Sequence, residues 1–174
     1  FHSNDAFGLV FRKWGRDIGG VAARFSDLGD GTLSEHWLSS YSRIYNQGMG
    51  SPVADFCKVS QTLITGRVVY LGELFLHPDF RNGELSWRAV FHYLFALCCL
   101  KWAPGWIYGF VRREDVFKGK AARYGFARQY AGPQVWTQKQ DRRDTSEYLV
   151  TLTRDELSEV AELYVKHPDL LFGE

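Results

Sequence analysis

The spacing of apolar positions in the first sixty residues predicts strands followed by a helix. Two short apolar runs flank a polar link that contains Gly15, a pattern typical of a β-hairpin. Apolar residues then recur at helical spacing, behind Thr32 or Ser34 as a candidate N-cap. The expected elements are a strand over 7–14, a strand over 18–28, a helix over 33–45 and a loop over 46–60.

The second half of the chain alternates between strand-like and helix-like segments. A run rich in β-branched and aromatic residues, RVVYLGELFL, predicts a strand. The helix after it is apolar on nearly every side, which predicts a central buried helix that Pro104 ends. Gly125 is typical of a helix C-terminus, and Thr153 and Glu156 have the spacing of a capping box. The expected elements are a strand over 67–76, a turn over 77–83, helices over 84–102 and 115–124, strands over 106–111, 127–137 and 148–152, and a helix from 153 to about 167.

This order of elements predicts the fold class. The first two strands form an antiparallel hairpin, whereas a strand–helix–strand crossover places its two strands in parallel. We therefore expect a single α/β (α+β) domain over 1–174, with a mixed, mostly antiparallel twisted sheet and helices on both faces.

Composition excludes some classes of function. Lys and Arg number 21 and Asp and Glu 20, so the net charge of +1 gives no basic face for nucleic acid. Aromatic residues make up 16% of the chain, and we interpret them mainly as core packing.

The cysteines and the longest apolar run indicate what to expect for cellular location, metal binding and membrane association. Cys57, Cys98 and Cys99 have no metal-ligand spacing and form no disulfide framework, so we expect no metal site and a reducing cytoplasm. The apolar run 89–100 is too short to span a membrane, and we expect no membrane association. Because the chain begins with Phe1, the natural N-terminus is expected to lie upstream.

Three segments, in this order, resemble the GNAT superfamily. They are Tyr70–Arg81 (YLGELFLHPDFR), the long helix that follows, and Ala121–Phe126 (AARYGF), similar to the family's Tyr-x-x-x-Gly-Phe ending. The resemblance covers roughly 7–153. It lacks the family's N-terminal strand and helices, so either the chain is a fragment or the helix at 33–45 and the loop at 46–60 take over their role.

The resemblance implies a site for acetyl-CoA or another acyl-CoA. Two central parallel strands, splayed apart, would hold the pantetheine arm, and amides at a helix N-terminus would bind the diphosphate. The cofactor-binding residues implied are Phe75, Leu76, Arg81, Asn82, Gly83, Glu84, Leu85 and Ser86.

The chain departs from the family pattern at two places. The family loop reads Arg/Gln-x-x-Gly-x-Gly/Ala, but Glu84 and Ser86 occupy the glycine positions here. An ordinary helix start with Asn82 as N-cap also fits this segment. The tyrosine that many members use as general acid lies four residues before the glycine, a position occupied here by Ala121.

Two residues are candidates for proton transfer. Glu73 interrupts an apolar strand, and in similar enzymes an acidic residue here faces the acceptor amine as a base. The alternative is a structural ion pair with Arg67, Arg112 or Arg113. Tyr124 could replace the missing acid, with Tyr130 and Tyr108 as further phenols, and His77 is a second candidate base. For each of these, a packing or turn role is the alternative.

The sequence therefore predicts an N-acyltransferase, specifically an acetyltransferase. It would move an acyl group from acyl-CoA to a small-molecule or peptide amine by direct attack, and a homodimer is compatible with this function. The alternative is a non-catalytic or acyl-carrier-protein-dependent binding or regulatory domain of the same fold.

Overall fold

The computed structural model of the chain describes residues 4–45, 51–81, 85–137 and 144–172, without the side chains of 42–45. A short 3-10 turn, Pro78–Phe80, follows the fourth strand. In chain order the elements are β1 (Ala6–Lys13), β2 (Arg16–Thr32), α1 (Leu33–Tyr45), β3 (Val53–Phe56), α2 (Lys58–Thr62), β4 (Thr65–Leu76), α3 (Trp87–Trp102), β5 (Trp106–Val111), α4 (Arg113–Phe117), α5 (Lys120–Arg123), β6 (Arg128–Ala131), β7 (Gln134–Trp136), β8 (Tyr148–Thr153), α6 (Arg154–Lys166) and α7 (Asp169–Phe172).

A six-stranded mixed sheet organises the molecule. Its strand order is β1-β2-β4-β5-β8-β6. Only the β4–β5 pair is parallel, since the right-handed crossover through α3 joins these two strands, while the other four pairs are antiparallel. The predicted mixed, mostly antiparallel sheet with a central parallel pair is confirmed.

Helices cover both faces of this sheet, as predicted. Alternate residues of β4 show the division, because Val69 and Leu71 pack beneath α3 while Val68 and Tyr70 pack towards α1. We call these the α3 face and the α1 face. The α3 face is dominated by Phe91 and Phe95, and the α1 face by an aromatic layer around Trp37.

Local sequence signals placed several elements correctly. The hairpin, α1, β5 and α6 lie where the pattern predicted them, and the capping box of α6 is present. Thr153 Oγ1 accepts from the amide of Glu156 at 3.2 Å, and the Glu156 carboxylate accepts from the amide of Thr153 at 2.8 Å.

Other expectations were wrong in detail. The segment expected as a loop contains β3 and α2, and the helix expected over 115–124 is broken into α4 and α5 by Gly119, whose φ is +74°. β7 leaves the main sheet and pairs with β3 instead of extending β6. α3 begins at Trp87 and exposes one side, where Leu100 is 85% exposed, because it packs by a single face on the sheet.

Candidate functional site

The parallel strands separate at the carboxyl end of the sheet. β4 and β5 are paired only from Val68 with Trp106 to Leu71 with Gly109. Beyond these residues β4 continues its pairing with β2 alone, and β5 continues with β8 alone. The splay that the sequence predicted is therefore present, and it leaves the facing strand edges available to a ligand.

A bulge in β4 lies where the strands separate. Ala22 pairs with Gly72 and Gly20 with Phe75, so Glu73 and Leu74 together stand opposite Val21. Glu73 occupies the left-handed region with a φ of +55°, which is unusual for a residue with a Cβ. The bulge turns the edge of β4 away from β5 and carries the Glu73 carboxylate to the opening.

A cleft of about 870 Å³ occupies this opening. Its lining includes Leu71, Trp87 and Phe91 from the α3 face and Tyr70 and Phe110 from the α1 face. Because residues of both faces line it, the cleft connects the two sides of the sheet through the gap between β4 and β5. Such a passage can admit two reactants from opposite sides.

Glu73 lines this cleft as an exposed side chain. The alternative of an ion pair with an arginine is not realised, since Glu73 has no ion-pair partner among the residues that the structure describes. Arg67 instead lies over the ring of Phe25, and Arg113 over the ring of Phe117. The carboxylate is thus open to a ligand in the cleft.

Tyr124 also lines the cleft, half-buried at the end of α5. Its ring stacks on Phe91 and meets Trp87 edge-on, which fixes its orientation. Burial raises the pKa of the phenol, and the charges of Lys120, Asp115 and Arg123 act on it with mixed sign. The phenol therefore stays protonated and can donate to a group in the cleft.

The position at which many GNAT members carry the tyrosine acid is buried in this chain. Ala121 is fully buried in the core of the α3 face, so this position offers the cleft no functional group. Tyr124 is three residues further along, at the C-terminal end of α5, and lines the cleft.

The other phenols and His77 have structural surroundings. Tyr108 is 2% exposed, and its hydroxyl accepts a hydrogen bond from Trp37 Nε1 at 3.3 Å, while burial raises the pKa of this phenol. Tyr130 packs against the core of the α1 face. His77 caps the 3-10 turn, where its Nδ1 accepts from the amide of Asp79.

The residues predicted to bind the cofactor fall into three groups: residues in or near the cleft lining, Ser86 at the start of α3, and residues outside the described ranges. Leu76, Arg81 and Leu85 line the cleft, and Phe75 is exposed outside its lining. Ser86 is the N-cap of α3, with its hydroxyl accepting from the amide of Ala89 at 3.3 Å. Asn82, Gly83 and Glu84 lie outside the described residues. The N-cap of α3 is Ser86 and not Asn82.

The cleft also contains charged residues that the sequence analysis missed. Arg112, Asp115, Lys120, Arg123 and Glu147 all line it. For Arg112 a signal existed, because it directly follows β5, and ligands of open α/β sheets bind beyond the carboxyl ends of strands. Arg123 had no such signal, since its approach to the cleft depends on the helix break.

The structure contains neither a metal cluster nor a membrane-spanning helix in the part of the chain that it describes. No group of three or more His, Cys, Asp or Glu side chains there is arranged to hold a metal ion. No helix there is long and apolar enough to cross a membrane.

Comparison with known proteins supports the architecture. No protein-family model matches the sequence, and no curated protein matches it significantly. Among solved structures, Arabidopsis thaliana NAA60 in complex with a bisubstrate analogue is 13% identical, with a TM-score of 0.50 over 86% of this chain and 76% of that chain. Aminoglycoside acetyltransferase AAC(6')-Ib, solved with coenzyme A and kanamycin, is 12% identical, with a TM-score of 0.48 over 91% of this chain and 72% of that chain.

At such low identity the likeness is one of fold. It extends over most of this chain. The chain has the fold of the GNAT acyltransferases.

Proposed function

We propose that this protein is an N-acyltransferase that takes an acyl group, most simply acetyl, from acyl-CoA and delivers it to an amine. The observation that carries the proposal is the splay of β4 and β5 into a cleft that both Glu73 and Tyr124 line. The fold, which this chain shares with an acetyltransferase bound to a bisubstrate analogue, supports the proposal.

The splayed edges fit the amide-containing arm of the donor. Beyond Leu71 and Gly109 the two strands no longer pair with each other, so their facing backbone groups are available to amides, as when an extra strand is added to a sheet. Gly109 allows the two strands to approach closely at their last pair, since a Cβ there would lie 3.0 Å from the carbonyl oxygen of Leu71. The thioester would then lie between Glu73 and Tyr124.

Proton transfer follows from the two side chains. An ammonium must lose a proton before its nitrogen can attack, and the exposed Glu73 carboxylate accepts that proton directly or through a water molecule. The amine nitrogen forms a bond to the thioester carbon and the carbon–sulfur bond breaks. The Tyr124 phenol donates its proton to the departing thiolate, and the second proton that the nitrogen loses as it becomes an amide passes through water to restore the phenol. Most of the rate would come from the positioning of the two reactants.

The acceptor is proposed to be a small-molecule or peptide amine that enters from the α1 face. The cleft lining includes the carboxylates of Glu73 and Glu147 and the aromatic rings of Tyr70 and Phe110. Both features favour a cationic amine.

Binding of acetyl-CoA tests the proposal. Calorimetry and thermal shift with acetyl-CoA at millimolar concentration should show heat and a raised melting temperature. A panel of primary amines, with released thiol as the readout, should then yield turnover that Glu73→Gln reduces. Absence of both binding and thiol release would contradict the proposal.

A non-catalytic or acyl-carrier-protein-dependent domain is the second candidate. The observations that favour it are the buried Ala121 and the hydroxyl cap of Ser86 on α3. The substitution Glu84→Gly distinguishes the two. If the wild type does not bind CoA and Glu84→Gly does, the CoA site has decayed in this chain. Binding of CoA by the wild type would remove the main support for this candidate.

A further inference from the structure

The first turn of α3 has fewer backbone amides free to bind an anion than an uncapped helix would have. The hydroxyl of Ser86 already accepts from the amide of Ala89, whereas the amides of Trp87 and Arg88 donate to no acceptor within the described residues. Two amides and a helix dipole attract a phosphate, but they are fewer donors than an uncapped turn would offer. A donor with several phosphate charges therefore needs further cationic groups nearby.

Two arginines in the cleft are available for that purpose. Arg112 and Arg123 both line it and are exposed, and the guanidinium group of neither makes a hydrogen bond or ion pair with any residue that the structure describes. Nearby cations differ, because Lys120 pairs with Asp115 at 2.6 Å and Arg113 lies over Phe117. Arg81 also has part of its guanidinium engaged, with Nε donating to the carbonyl oxygen of Leu76 at 2.8 Å.

The positions of both arginines match the expected course of the donor. Arg112 directly follows Val111, the last residue of β5, where the splayed strands open. Arg123 precedes Tyr124, whose ring contacts Trp87 in the first turn of α3. The two arginines thus line the cleft from the residue after β5 and from the residue before Tyr124.

We propose that Arg112 and Arg123 form a guanidinium clamp, held on α4 and α5, that binds the phosphate groups of the acyl donor opposite the first turn of α3. A guanidinium is always charged and offers a planar fork of donors that matches two phosphate oxygens. The clamp rests on the proposed function, and it assigns to side chains of α4 and α5 the part of the binding that the capped turn of α3 does not supply.

The acceptor amine is a less suitable ligand for these two arginines than the acyl donor. A cationic amine would be repelled by two unpaired guanidinium groups, and the carboxylates Glu73 and Glu147 are better partners for it. Two measurements distinguish donor binding from acceptor binding. If the clamp binds the donor, substitution of its arginines changes the affinity for phosphate and leaves the KM of the acceptor unchanged.

The experiment measures binding of CoA and of inorganic pyrophosphate by calorimetry at low and high salt. The variants are Arg112→Ala, Arg123→Ala and their combination, with Arg113→Ala as the matched control. Arg113 is an exposed arginine beside Arg112 that lies outside the cleft lining. Each cleft variant should weaken binding about tenfold and the combination more, because charge-assisted hydrogen bonds to phosphate are lost. The control should stay within about twofold, and high salt should narrow the differences.

Each outcome decides something. Binding of CoA by the wild type that the combined variant retains unchanged would overturn the clamp and leave the proposed function intact. If the wild type ignores CoA but binds pyrophosphate, and the variants lose it, the clamp stands while the proposed donor is wrong. If the wild type binds neither probe, the clamp and the proposed function both fail.

Discussion

The ring of Tyr124 stacks on the ring of Phe91, with centroids 4.4 Å apart and planes 11° from parallel. This contact joins the end of α5 to the first turns of α3 and holds the phenol at the cleft. The hydroxyl and the ring therefore have separable roles, one towards a ligand and one in packing.

Removal of the Tyr124 hydroxyl should affect chemistry without affecting the fold. Tyr124→Phe keeps the stack, so the melting temperature should stay the same, while kcat should fall by about 100-fold if the phenol protonates the thiolate. Tyr124→Leu, the control for packing, should lower stability as well. An unchanged kcat in Tyr124→Phe would assign this residue to packing alone.

Substitution of Glu73 should separate activity from stability. Glu73→Gln should lower kcat by about 100-fold or more through loss of the base. Glu73→Gly should lower kcat as strongly, yet raise the free energy of unfolding by up to about 1 kcal/mol, because glycine adopts the positive φ without strain.

Asp79→Asn is the matched control for this prediction. Asp79 is an exposed carboxylate just after β4 and outside the cleft lining. Its loss should leave kcat within about twofold, whereas equal losses for Asp79→Asn and Glu73→Gln would indicate a general effect of charge.

His92 should make the protein less stable at acidic pH. Burial, together with the charge of Arg88, lowers the pKa of this imidazole from 6.5 to about 4. Between these values the unfolded chain binds a proton that the folded chain does not, so stability falls as pH decreases from 6.5 and the full loss is reached below 4.

The size of this effect can be measured by denaturation at pH 7 and pH 4.5. Since His92 is only partly buried, we expect it to account for about 1–2 kcal/mol of the difference. His92→Gln should remove that share, and His167→Gln, a surface substitution, should not. An identical pH dependence in wild type and His92→Gln would contradict the prediction.

Gly125 should tolerate no side chain. Its φ is +93°, and a Cβ would lie 2.7 Å from Nε2 of His92. Gly125→Ala should therefore cost about 2 kcal/mol or more, from backbone strain and from the clash. Gly119→Ala is the control for strain alone, because Gly119 has a φ of +74° and open space around it. If both substitutions cost the same, the contact with His92 is unimportant.

Signals within a few neighbouring residues determined much of the fold. The link around Gly15 placed the first hairpin, the apolar run 106–111 gave the bounds of β5, and Thr153 with Glu156 marked the start of α6. These features depend on backbone conformation and capping, which nearby residues control. The order of strand, helix and strand then predicted the parallel central pair, and the resemblance to the GNAT superfamily implied its splay.

The site depended on more distant relationships. Glu73 and Tyr124 were recognisable as candidates, but the approach of both to one cleft required the sheet to bring β4 and β5 together and required the break at Gly119. The start of α3 was misplaced because Asn82 and Glu84 are residue types that suit a helix start, whereas the N-cap is formed by Ser86.

The sequence by itself determined the class of the fold, the strand that carries Glu73 and the glycine that ends α5. Only the tertiary structure decided that β7 pairs with β3, that Ala121 is buried while Tyr124 lines the cleft, and that Arg112 and Arg123 line the same cleft. The physical reason is that hydrophobic periodicity reports which face of an element is buried, but not which element covers it. Partners far apart in the chain are selected by packing of the whole molecule.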